Sequence, residues 1–344
     1  MSNKRFFITI FVVFFILNFI WCFIVYDSDY IFKFKSPKGE YSISNEIYQN
    51  SGIANNFTYD SAIIGSSMTE NFKPSTFELY FKTYPIKLSY SGSNSYNIEL
   101  SLSQIFNSKN DVKKVFISLD DYMLFSATED FYPFIPSYVY EKNLESTFQY
   151  LYNKNLFMEL NSSFNENKSL SPMEFAYNWN DEFEFSKENC LAGYSYYEDT
   201  SNYQIFNGDS RLIVDQNLSR ITKYISDNPN CQFYIFFPPY SMAQWFTYSV
   251  GSGIDYEIDL QKFACEKLLK FENVKLYYFQ DNLDIVTNLN NYKDLGHYCE
   301  DINVEIVKLM ADNNSLLTTD NYQDILDNWR ITAKNYDYKE MFED

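Results

Sequence analysis

SAIIGSSMT, residues 61–69, is a short apolar run that stops at a glycine and passes at once into two serines. A run of that length bounded by turn residues reads as a buried strand. The segments that come next set the architecture. PSTFELYF (74–81) reads as one helix with Pro74 in its first turn. PIKLSYSG (85–92) reads as a strand ending at Gly92, NSYNIELSLSQIFN (94–107) as a helix, and KKVFISLDDY (113–122) as a strand with acidic residues at its end. Strand and helix alternate, which argues for an α/β domain around a parallel sheet.

The rhythm breaks over residues 123–209. This part is aromatic and acidic, contains FYPFIPSYVY and FAYNWNDEFEF, and reads as an insertion. The alternation then resumes. In SRLIVDQNLSRITKYISDNPN, Val214, Leu218, Ile221 and Ile225 share one helical face and Pro229 stops the helix. CQFYIFFPP (231–239) suits a strand buried on both faces. EIDLQKFACEKLLKF (257–271) is helical, VKLYYFQD (274–281) is a strand, and DINVEIVKLMADN (301–313) is a last helix. The expected sheet therefore has about five strands, in a domain covering 59–314. Residues 27–58, polar and mixed, read as a stalk, and residues 315–344 as a polar, peripheral C-terminal tail.

Ahead of the stalk lies FFITIFVVFFILNFIWCFIV, residues 6–25, without a charge. Twenty residues at ~1.5 Å each cover the ~30 Å hydrocarbon core of a bilayer. Lys4 and Arg5 precede this segment and YDSDY comes after it. Positive charge on the inner side predicts a cytoplasmic N-terminus, with everything after the span outside. A cleaved signal peptide would have a shorter apolar region and small residues at its exit. Here the exit is bulky, Trp21 to Tyr26, and Cys22 lacks the small residues of a lipoprotein site. Residues 1–26 are thus expected to be a cytoplasmic stub and a retained single-pass anchor in the cytoplasmic membrane.

All 46 acidic residues and 25 of the 27 basic ones lie from Asp27 onward. So acidic a domain repels nucleic acid, which excludes DNA and RNA as partners. Four cysteines lie beyond the anchor, Cys190, Cys231, Cys265 and Cys299. Three disulfide pairings are open to them, an oxidising exterior permits but does not require any, and none has C-x2-C metal spacing. The chain holds a single histidine, His297. Usage rich in Asn, Lys, Ile, Tyr and Phe itself depresses histidine, so scarcity alone does not mark this one as functional.

Position does more. Ligands of parallel α/β sheets bind beyond the carboxyl ends of the strands. Those ends are Ser66-Ser67, Gly92, Asp120-Asp121, Pro238-Pro239 and the loop reaching Asp294 and His297. Gly65 permits a tight turn straight off the first strand. A serine there is a weak nucleophile until a base takes its proton, and His297 is the one imidazole that can do so. Asp294 precedes it by three, so on a helical turn its carboxylate lies beside the ring. Singly, Gly-Ser-Ser is ordinary loop chemistry and an Asp-x-x-His pair is an ordinary solvated helix face. Together they sit after the first and last strands. One histidine without clustered ligands does not make a metal site.

Gly65-Ser66-Ser67-Met68-Thr69 and Asp294-Leu295-Gly296-His297, in that order, resemble the first and last motifs of the SGNH, or GDSL-type, hydrolases. Those motifs are Gly-Asp-Ser-x-Thr and Asp-x-x-His, so Ser66 departs from the pattern. The resemblance covers 59–314 without the insertion and implies a three-layer α/β domain that needs no cofactor. It makes Ser67 the nucleophile, His297 the base and Asp294 its orienting partner, with the N–H groups of Ser67 and Gly92 in the oxyanion hole. The family's third motif, Gly-x-Asn-Asp, falls on Ser118-Leu119-Asp120-Asp121. An ionised Asp120 cannot donate a hydrogen bond. Either it points elsewhere, or Asn94 or Asn97 supplies the donor. The anchor is similar to that of extracytoplasmic members such as the alginate acetyltransferase proteins and the protein of teichoic-acid D-alanylation. That likeness implies acyl esters of an envelope glycan or related polymer as substrate and a membrane acyltransferase as partner. In FFPPYSMAQW (236–245), Phe236 and Phe237 read as core, and Tyr240 and Trp245 as rings that stack on sugar. The alternative is an inactive member that binds glycan or scaffolds an envelope assembly, for which Asp120 and the aromatic insertion speak.

Overall fold

Each expected strand forms where its apolar run falls: β1 Ser61–Gly65, β2 Pro85–Ser89, β3 Lys114–Ser118, β4 Gln232–Phe237 and β5 Val274–Tyr278. The structure, a computed structural model, describes residues 3–27, 32–37, 41–126, 134–158, 172–196, 208–250 and 253–343. The remaining parts of the expected stalk and insertion lie outside these. The strands pair in parallel in the order β2-β1-β3-β4-β5, and a short sixth strand, β6 (Leu316–Leu317), adds antiparallel to β5.

Successive residues of a strand face opposite sides of a sheet, and β4 shows what covers each side. Phe233 meets Phe106 of the helix Ser95–Phe106, while Tyr234 meets Phe81 of the helix Pro74–Phe81. On the first side, Ser95–Phe106, Gly208–Asp227 and Ile254–Leu268 pack in a row; on the other, Pro74–Phe81 packs beside Glu300–Ala311. Three layers result, and β1 is buried along its whole length. Each large apolar side chain so enclosed contributes roughly 1.5–3 kcal/mol relative to exposure. β1 has β2 on one side and β3 on the other, so the winding reverses there. Such a reversal opens a crevice at the carboxyl ends of β1 and β3.

The segments expected to be peripheral are part of the domain. In place of a stalk, the helix Glu46–Asn56 packs on β2 and on Ser95–Phe106, and Phe32, Ile43 and Ile53 enter the core. A Cβ on Gly52 would stand 2.6 Å from the backbone of Phe32, so the close approach there requires glycine. The expected tail supplies β6 and the helix Tyr322–Asn335, whose Leu326, Trp329 and Ala333 are buried. Arg330 on that helix reaches Asp259 at 2.6 Å. Three apolar residues at helical spacing suffice to bury one face, and the polar majority of the sequence hid them.

The first helix, Asn3–Asp27, contains a segment, Asn3–Val25, that is long and apolar enough to cross a membrane, and almost none of it is buried. Within the expected insertion the described residues form short helices, among them Ser137–Tyr140, Leu144–Leu151 and Lys187–Cys190.

Candidate active site

β1 ends against Thr69: a Cβ added to Gly65 would lie 2.5 Å from Thr69 Cγ2 and 3.2 Å from Ser118 Cβ. Only glycine lets the chain turn this tightly here. Ser66 then caps one turn of 3-10 helix, Ser67–Thr69, its Oγ accepting the N–H of Met68. The hydroxyl of Thr69 folds back to Ser66 O at 2.8 Å and lies 2.7 Å from Ser89 Oγ at the end of β2. Ser67 is therefore the first residue of a fixed turn.

The last strand's loop comes to meet it. Tyr292 and Tyr298 pair as an isolated antiparallel bridge, and Lys293 N–H donates to His297 O, which closes residues 293–297 into a small loop. Tyr292 OH donates to Pro239 O at 2.7 Å and Ser241 Oγ to Leu295 O at 2.6 Å, so the loop after β4 holds it in place. The Asp294–His297 turn is not the helical one that the spacing suggests. Asp294 Oδ1 instead accepts the N–H groups of Gly296 and His297, a local side-chain-to-backbone turn.

Ser67 Oγ lies 2.8 Å from His297 Nε2, and His297 Nδ1 lies 2.9 Å from both oxygens of Asp294. A proton on Nδ1 faces the carboxylate, which leaves Nε2 as an acceptor for the Ser67 hydroxyl. Lys293 Nζ donates to Asp294 Oδ2 at 2.8 Å. Burial works to raise the Asp294 carboxyl, but the hydrogen bonds and charge of His297, with Lys293, outweigh it and hold that group well below the usual carboxylate range.

The serine and the histidine open on a cavity of about 510 Å³ whose wall includes Gly92, Asp121, Tyr240 and Tyr248. Gly92 has φ 67°, a conformation that favours glycine. Among the described residues neither its N–H nor that of Ser67 has a protein acceptor. Asn94 does not line the cavity. It is buried, and its side-chain oxygen caps the helix Ser95–Phe106 by accepting from Tyr96 and Asn97, while Asn97 returns a bond to the Asn94 N–H. Both asparagines offered as oxyanion donors thus serve the cap.

Asp120 is buried and accepts from Ser66 Oγ and, at 2.6 Å, from Ser118 Oγ. Burial raises its carboxyl and those two hydroxyls offset part of the rise. Beside it, burial pushes Asp121 up to about 7 against the hydrogen bond from Tyr248. Asp121 N–H donates to the Tyr240 hydroxyl, so Tyr240 is a wall of the cavity with its polar end engaged. Trp245 is a correction. It is 0 % exposed, with Trp329 and Tyr248 set edge-on to it at 5.2 and 5.3 Å, so neither face is open to a sugar. The helix Met242–Val250 turns it inward.

Trp179, from the insertion, joins the site without a motif to mark it. Its ring stands 5.6 Å from the His297 imidazole at 83°, and Lys293 Nζ lies 4.9 Å from its centre. Its backbone N–H donates to Asn71 Oδ1. The only signal in the sequence is the aromatic richness of FAYNWNDEFEF.

All five cysteines are free thiols. Cys190 lines the cavity, but burial pushes its thiol up to about 11, which keeps it protonated and unreactive near neutrality. Among the described residues no group of three or more His, Cys, Asp or Glu side chains is placed to hold a metal ion.

No protein-family model matches the chain, and no curated protein matches it. One solved structure similar to it is described as "The structure of a putative platelet activating factor from Streptococcus pneumonia", at 11% identity and a TM-score of 0.39, over 78% of this chain and 90% of that one. A superposition this loose says nothing about the chemistry of this chain.

Proposed function

We propose that the chain is a serine-dependent acyl esterase or O-acyltransferase of the SGNH type, anchored by residues 6–25, that acts on acyl esters of an envelope polysaccharide or related polymer. The observation that carries this reading is the 2.8 Å contact between Ser67 Oγ and His297 Nε2, made across 230 residues of sequence, with Asp294 behind the imidazole. Nothing in local packing requires a serine and the chain's one histidine to meet at the mouth of a cavity.

The steps use the donors present. Ser67 Oγ attacks the ester carbonyl while its proton passes to His297 Nε2. Asp294 holds the Nδ1 tautomer and stabilises the imidazolium. The N–H groups of Ser67 and Gly92 receive the oxyanion. His297 then protonates the departing alcohol, leaving an acyl group on Ser67. Water or an acceptor hydroxyl, deprotonated by the same imidazole, releases it. As a carboxylate, Asp120 adds no donor, so the hole has two backbone donors. Loss of a third costs about 10²–10³ in rate where it has been measured in other enzymes.

A fluorophosphonate tests the site. The detergent-solubilised chain should be labelled on Ser67, and Ser67→Ala and His297→Ala should each abolish labelling while the protein stays folded. A folded wild-type chain that resists labelling would leave glycan binding or scaffolding as the better reading.

The anchor's orientation is set by Lys4 and Arg5, with the domain outside the cytoplasmic membrane. Protease added to wall-stripped cells should digest the domain; full protection would reverse the topology.

A further inference from the structure

The helix Leu144–Leu151, LESTFQYL, packs one face and leaves an apolar stripe on the other. Ser146 and Tyr150 are buried, while Leu144 is 90% and Phe148 64% exposed. Tyr152 continues in the same direction, its ring 4.6 Å from that of Phe148, and Phe157 and Met158 extend the exposed surface. A helix turned to water carries polar residues on its outer face. A contiguous outward apolar surface marks a place of attachment.

The same surface is tied to the candidate membrane span. Tyr152 OH donates to Asn18 Oδ1 at 2.7 Å, and Trp21 Nε1 donates to Leu151 O while its ring packs on Phe157 at 5.4 Å. Val25 is buried with Val139, Tyr150 and Leu156 in a hydrophobic cluster separate from the main core. Asn18 stands seven residues before Val25, which at 1.5 Å per residue is ~10 Å down the helix from its outer end. An anchor whose outer end lies at the head-group boundary therefore places the Tyr152 hydroxyl, at Asn18, ~10 Å below that boundary, with the Phe148 ring beside it. Amphipathic helices settle at that depth. Lys142, just before the stripe, and Lys154, within it, are both exposed, and their long stems let the ammonium groups reach toward head groups.

We propose that Leu144, Phe148, Tyr152, Phe157 and Met158 form a membrane-docking surface that lies in the lipid interface beside the anchor. It holds the cavity of Ser67 and His297 at a fixed height and tilt over the bilayer. The occupant is lipid, because the stripe is continuous with the span and meets it below its outer end. The proposal rests on residues 6–25 being membrane-inserted, and the test separates the two.

The full chain, with p-benzoylphenylalanine placed at Phe148, is reconstituted in vesicles of phosphatidylglycerol and phosphatidylcholine, illuminated, and searched for lipid adducts by mass spectrometry. The same probe at Phe11, inside the span, reports insertion. At Leu79, exposed on the helix Pro74–Phe81, it gives the background. Adducts at Phe148 several-fold above those at Leu79 are the expected result. Adducts at Phe11 with only background at Phe148 overturn the docking surface and leave the anchor standing. Background at all three overturns the anchor itself. Illumination in native membranes that links Phe148 to a protein in place of lipid also overturns the proposal and assigns the stripe to a membrane partner.

Discussion

Ser66 Oγ donates a hydrogen bond to Asp120, the carboxylate just past the neighbouring strand β3. Ser66 and Asp120 are two of the three positions, Ser118 being the other, at which the chain departs from the quoted SGNH motifs, and they face one another. The carboxylate that the resemblance would place at 66 stands instead at 120, and the hydroxyl at 66 completes the pair. Two departures that look damaging in sequence make one buried contact, with Ser118 as a second donor to the same carboxylate.

Ser66→Ala should therefore cost stability more than chemistry. It removes a hydrogen bond to a charged group, worth about 1.5–3 kcal/mol, and the cap of the Ser67–Thr69 turn. The expected result is a lower thermal midpoint with fluorophosphonate still landing on Ser67. A folded Ser66→Ala protein that no longer labels, beside a Ser67→Ala protein that does, would exchange the roles assigned to the two serines.

Trp179 bounds the imidazole on one side and carries the Lys293 ammonium over its face. Removing it frees His297 to rotate away from Ser67. Small misplacements of a reacting group can cost up to ~10²-fold. Trp179→Ala should slow labelling by about tenfold on that scale, and Trp179→Phe should recover most of the loss. The single histidine offers a readout that a general loss of packing would not move. Its ring protons give one resolved set of NMR signals, shifted by the neighbouring indole, and that shift should vanish in Trp179→Ala. Unchanged signals would mean that the two rings do not meet in solution.

The parallel sheet was legible because strands buried on both faces are unbroken apolar runs, and β1 to β5 fall within such runs. Ser67, Asp294 and His297 were legible for a different reason: chain order and strand ends placed them at one edge of a sheet. What failed had no such signature. Asp-x-x-His spacing fits a helical turn and a loop closed by side-chain acceptance equally well, and the bridge between Tyr292 and Tyr298 chose the loop. Trp245 looked available after Pro238-Pro239, but Trp329, from a tail read as polar, comes back to cover it. Trp179 reaches His297 from a segment with no repeat, motif or period. Contacts of that kind belong to tertiary structure alone.

Glu70 gives a dependence on pH that a single substitution can test. It lies almost wholly buried next to Glu46, on a second cavity walled by Trp179 and Tyr177. Burial, then the charge of Glu46, pushes its carboxyl up to about 8, against the opposing pull of Lys87. The usual value is near 4.5. A carboxyl raised on folding imposes no cost below its unfolded value, and a growing one as pH climbs toward its folded value. Wild type should thus lose stability between pH 5 and pH 7 relative to Glu70→Gln, which has no proton to give up. Lys87, fully buried, is pushed down to about 7 by burial and acts in the opposite direction, but only above that pH. Well below it the lysine is charged in both folded and unfolded chains, so over pH 5 to 7 the difference between the two proteins reports chiefly Glu70 with its neighbour Glu46, whose carboxyl burial also raises. Each pH unit can contribute at most ~1.4 kcal/mol, so the advantage of Glu70→Gln should grow by about 1–2 kcal/mol across the window. Urea midpoints of the detergent-solubilised full chain at pH 5, 6 and 7 measure it. Midpoints that stay parallel would show that Glu70 is ionised and satisfied in the folded protein, with the Lys87 ammonium as its partner.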